Sequence, residues 1–162
     1  MTNKITDTSA PLLSSLEFDQ PLVLLDSQPV DLQLTMEVND DLSGLEDATL
    51  RFKNENASNV GAKYIYFELK DDSDDGANIA TTNYEINQFR QEGIYELDAL
   101  WIDDKAGNRS YKVKGFNGLD EYLEESGFQG DLSFEIKHAT LDEGDANFSI
   151  EGEFQAGKVV RV

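Results

Sequence analysis

The stretch Val30-Asp-Leu-Gln-Leu-Thr-Met-Glu-Val38 decides the fold class. Val30, Leu32, Leu34, Met36 and Val38 take every second position, and Asp31, Gln33, Thr35 and Glu37 fill the gaps. Successive side chains of an extended chain point to opposite faces, so this segment is a strand with one face in a core and the other in water. One-sided burial of this kind belongs to antiparallel sheets.

The same signal recurs on either side. Upstream, Pro11–Phe18 is a strand anchored by Leu12/Leu13, Leu16 and Phe18, and Pro21–Leu25 continues it after a kink, where proline is tolerated. Downstream, Asn39-Asp-Asp-Leu-Ser-Gly44 has turn chemistry, and Ala48–Lys53 turns Leu50 and Phe52 inward. Ala62–Lys70 is rich in β-formers, and Ile79–Phe89 is a weaker strand around Tyr84 and Ile86. Gly93–Ile102 is apolar on both faces, as a central strand should be, and Arg109–Val113 follows it. Short strands with turn signals about every ten residues predict an all-β sandwich. No window before Val113 reads as an amphipathic helix. The helical segment is Leu119–Ser126, with Asn117 as its cap, Gly127 just past its end, and Leu119, Tyr122 and Leu123 as its buried stripe. Leu132, Phe134, Ile136 and His138 then alternate as a further strand.

A chain of 162 residues predicts one domain with a substantial core. Its 33 acidic against 13 basic residues give a net charge of -20, a field that repels nucleic acid and anionic membranes and attracts cations. Such self-repulsion calls for screening by divalent ions or salt: a calcium-rich exterior or a halophile's cytoplasm. With no cysteine there is no disulfide scaffold and no thiolate chemistry. Residues 1–10 contain no apolar run and so predict neither a signal peptide nor a membrane span. Either the protein is intracellular, or it is a fragment of a longer exported chain, which the linker-like residues 1–10 favour; residues 11–138 read as the sandwich, and 139–162 as an acidic extension, either an added hairpin or the start of another linker.

Four motifs occur in order: Asp7-Thr-Ser-Ala-Pro11, Asn39-Asp-Asp-Leu-Ser-Gly44, Gly93-Ile-Tyr95 and Asp104-Lys-Ala-Gly-Asn108. Together they resemble the bacterial immunoglobulin-like modules of large exported surface proteins and adhesins, over roughly residues 7–138. The resemblance implies an immunoglobulin-like antiparallel β-sandwich, extracellular or on the cell surface, often tandem, often calcium-loaded, and tied to no single ligand. Independently of it, Tyr95 lies two residues before the inward-facing Leu97, which is the spacing of an immunoglobulin tyrosine corner.

If consecutive strands are antiparallel, the connections 39–47, 71–78 and 103–108 share one pole. They bring Asp40, Asp41, Asp71, Asp75, Asp103 and Asp104 to one end, while the opposite loops hold only Glu55 and Glu92. Gathered carboxylates invite a cation, and calcium accepts six to eight oxygens in irregular geometry. Asp71-Asp-Ser-Asp-Asp-Gly76 matches the first half of a calcium loop, but Thr82 stands where the closing glutamate belongs. The competing reading is punctuation: Asp104 can bond its own backbone, and Gly107 and Asn108 tolerate positive φ. The only histidine, His138, excludes a metal site built on paired histidines within this chain and reads as a strand-end residue; no enzyme is expected. The alternative to a structural module is recognition of a glycan or a protein partner, through Trp101, Tyr64, Tyr66 and Tyr84 as a stacking surface.

Overall fold

The computed structural model describes residues 7–39, 43–71 and 78–139. In chain order the elements are β1 (Leu12–Phe18), β2 (Leu22–Leu25), β3 (Val30–Asn39), β4 (Leu45–Lys53), α1 (Val60–Lys63), β5 (Tyr64–Lys70) and β6 (Ile79–Ile86), followed by β7 (Gly93–Asp104), β8 (Arg109–Val113), α2 (Leu119–Glu125), β9 (Gln129–Gly130) and β10 (Ser133–His138). Two sheets form. One has the order β6-β3-β1-β9, and the other β2-β10-β7-β4-β5, with β8 pairing with β7 as well.

Period-two burial accounts for most of the strands. In β3, Leu32, Leu34, Met36 and Val38 are buried and their odd-numbered neighbours face outward. Facing them across the interior are Leu50 and Phe52 of β4, Ile65, Phe67 and Leu69 of β5, and Phe134 and Ile136 of β10. Phe18 joins the layers, its ring centroid lying 5.0 Å from Phe134, 5.4 Å from Phe52 and 5.8 Å from Phe67.

The expected purely antiparallel sandwich is corrected to a mixed one. β1 pairs with β9 in parallel, and β2 with β10 in parallel. The cause is that the β1–β2 and β9–β10 runs travel side by side, and both cross from one sheet to the other at the same place. Asp131 marks the crossing: its amide donates to Leu16 O (2.9 Å) and its carboxylate accepts Phe18 N (3.1 Å). Gly130 lies against β1 so closely that a Cβ there would stand 2.2 Å from Leu16 O, at a φ of +111° that suits glycine alone. Pro21, which has no amide hydrogen to offer, accepts Glu135 N at 2.8 Å.

The two-faced apolarity of β7 has a different origin from the one expected. Arg51 is registered with Ala99 and Phe52 with Leu97, which leaves Asp98 as the extra residue of a β-bulge. Inward positions are odd before the bulge (Tyr95, Leu97) and even after it (Leu100, Ile102, Asp104). The helices also differ in detail. α1 is a single turn, capped by Asn59 accepting Ala62 N at 2.8 Å, and too short to leave a periodic signature. α2 buries Leu119, Tyr122 and Leu123 as expected, but its cap is Gly118, with no side-chain bond. Asn117 instead holds the end of β8, accepting Val113 N and donating to Tyr111 O.

Candidate functional site

Two regions carry the residues singled out by sequence. The first is the acidic pole. The turn after β7 meets the segment before β4 through Lys105 N donating to Gly44 O (2.9 Å), and Lys105 Nζ lies 3.6 Å from Asp71 Oδ2. Asn78 Oδ1 accepts Leu45 N at 3.2 Å. Strand parity thus brings these connections together, while Asn54 joins Glu92 O (3.0 Å) at the opposite end.

Asp103 and Asp104 do not act as a pair. They are adjacent in a strand, so their side chains leave opposite faces. Asp104 turns inward and is buried. One of its oxygens accepts Ala106 N (3.0 Å) and Asn108 N (2.8 Å), and the other accepts Asn108 Nδ2 (2.8 Å). Gly107 supplies the turn's positive φ, +94°, and the Asn108 side chain bridges Asp104 to the carbonyl of Asp7 (3.0 Å). Asp7 is itself buried and receives Ser43 N, Ser43 Oγ and Ser9 N, which hold its carboxyl below the usual carboxylate range. The segment read as linker is therefore seated on the sandwich from Asp7 onward.

Asp103 turns outward and forms a two-pronged pair with Arg109 (2.7 and 2.9 Å), which lowers its pKa. Asp47 stands opposite Asp103 in the β4–β7 ladder; partial burial first, and then the Asp103 charge, push its pKa up. Asp103 is committed to Arg109, Asp104 to its own turn, and among the described residues no group of three or more metal-ligating side chains assembles. Asp40, Asp41 and Asp75 lie outside the described residues.

The second region is the outer face of the sheet containing β7. Hydrogen-bonded register lays out two cross-strand rows: Arg109, Asp103, Asp47, Lys70 and, beside it, Tyr111, Trp101, Thr49, Glu68. Trp101 and Tyr111 stack at 5.4 Å with 25° between their planes. A third row holds Arg51 and the half-exposed Tyr66; Arg51 grips Asp98 with two 2.9 Å bonds and lies 4.6 Å over the Tyr64 ring. Tyr64 and Tyr66 share this face as expected. Tyr84 does not: it is on β6 and packs on Phe67 at 5.4 Å, inside the sandwich. Tyr111 was missed because the alternation of a five-residue strand gives no sign of which neighbour its ring meets. No described helix is long and apolar enough to cross a membrane.

No protein-family model matches this chain, and no curated protein matches it. Among solved structures, a β-glucosidase from Listeria innocua in complex with glucose is similar at a TM-score of 0.29 and 10% identity, over 78% of this chain. The likeness spans 15% of that chain's length and carries no argument about function.

Proposed function

We propose that this chain is a non-catalytic, immunoglobulin-like structural module of a large bacterial surface or secreted protein of the adhesin type, packed against neighbouring domains of the same chain. The observation that carries the reading is the corner at Tyr95. Its buried hydroxyl donates to Gln91 O, four residues upstream, at 2.7 Å, and Leu97 is buried two residues later. Strand order supports it as well: β1, β3 and β6 lie together like strands A, B and E, and β4, β7 and β10 like C, F and G. The lone histidine, a frequent general base, is occupied at 2.8 Å from Arg90 O.

Labelling of intact cells with an antibody to this domain, before and after protease shaving, tests the setting. Surface signal lost on shaving supports the module, and signal only after lysis sinks it. Calcium enters the reading as an ion of the loops around Asp40, Asp41, Asp71 and Asp75. A melting temperature raised by millimolar calcium and restored by chelator supports that part, and an unchanged curve removes it without touching the module.

A further inference from the structure

The two outer faces of the sandwich differ in charge. β1, β3, β6 and β9 contain no lysine or arginine, and Glu17, Asp31, Glu37 and Glu85 make their outer face acidic. The face across β8, β7, β4 and β5 instead interleaves both signs, as in the row Arg109, Asp103, Asp47, Lys70. At the edge of this face an open depression of about 510 Å³ is lined by Asp47, Thr49, Glu68, Lys70, Asp103 and Arg109, and by Thr81 and Thr82 of β6 in the other sheet. That volume falls within the range of small-ligand sites, yet the lining is polar, which suits a hydroxyl-rich ligand better than an apolar one. Beside it rise the stacked rings of Trp101 and Tyr111, the latter 40% exposed.

We propose that this face binds a neutral oligosaccharide, one sugar ring lying on the Tyr111–Trp101 pair and its hydroxyls bonding to the charged row in the depression. An aromatic face takes the C–H side of a pyranose, and the Asp103 carboxylate, though paired with Arg109, keeps lone pairs for hydroxyl donors. The overall charge of -20 turns away anionic glycans, whereas a neutral one meets a face of balanced sign. The proposal goes beyond the structural role and does not depend on surface location.

Trp101 is the only tryptophan, so its emission reports directly on the site. The full chain is titrated with soluble xyloglucan, galactomannan, mixed-linkage β-glucan and dextran, with alginate as the anionic control. We expect a saturable emission shift with at least one neutral polymer, weakened about tenfold or more by Tyr111→Ala. Thr49→Arg, which fills the depression from a half-exposed position, is expected to do the same. Near-ultraviolet circular dichroism verifies that both variants are folded. No shift with any neutral polymer, equal binding of alginate, or unchanged affinity in both variants overturns the proposal. Self-association blocked by Tyr111→Ala, in a chain that binds no polymer, assigns the face to protein docking instead.

Discussion

Tyr95 and Gln91 are joined across the corner before β7 by a 2.7 Å bond from the phenol hydroxyl to the backbone carbonyl. The Tyr95 ring stacks on Phe134 at 5.3 Å and 8°, so one residue ties the corner to the aromatic core. Tyr95→Phe keeps the ring and strands the carbonyl. Denaturant unfolding is expected to show a loss of about 1–2 kcal/mol. A midpoint equal to the parent's would mean that the bond contributes nothing.

Asp104 is the organiser of its turn. Asp104→Ala removes three bonds accepted by a buried carboxylate and should cost about 2–3 kcal/mol, with Asp104→Asn losing less because one acceptor oxygen remains. Amide exchange at Ala106 and Asn108 should accelerate in the alanine variant. Protection unchanged at both amides would contradict this role.

Asp47 and Asp103 respond to pH in opposite senses. The folded pKa of Asp47 is raised, so its contribution is favourable below the unfolded value, about 4, and is lost as pH rises through the folded one. That of Asp103 is lowered, so its contribution is present above about pH 4 and lost as pH falls through the folded value. Asp47→Asn should therefore stabilise the fold at pH 7, with the gain vanishing in acid. Asp103→Asn should destabilise it at pH 7 by no more than about 1 kcal/mol, since the Arg109 pair is solvent-screened. Melting curves from pH 7 to 3 check both signs.

The Arg51–Asp98 pair sits at the bulge, with side chains only 20% and 12% exposed. Asp98→Ala leaves a half-buried guanidinium without its counter-ion and should cost about 2–3 kcal/mol. Arg51→Met with Asp98→Ala should cost less than the sum of the single changes, by about 1 kcal/mol or more in a double-mutant cycle. Strict additivity would show that the two bonds carry no coupling.

Much of the architecture is legible in residue order because it rests on periodicity. Val30–Val38 alternates, so β3 is half-buried; Leu119, Tyr122 and Leu123 share a helical stripe, so α2 docks on one side. The meeting of the acidic connections at one pole follows from strand parity, which counts turns and needs no coordinates. What each carboxylate does there is set by contacts remote in sequence. Asn108 reaches Asp7 across 101 positions, and Tyr122 reaches the amide of Leu13 across 109.

By itself, then, the sequence determined a β-rich sandwich and its buried faces, since a two-residue period and turn chemistry are local properties. Only the tertiary structure decided the parallel pairings of β1 with β9 and β2 with β10, and the bulge that reverses inward and outward at Asp98. The physical reason is that register and sheet-crossing depend on which strands become neighbours. A slip of one residue exchanges every face downstream of it.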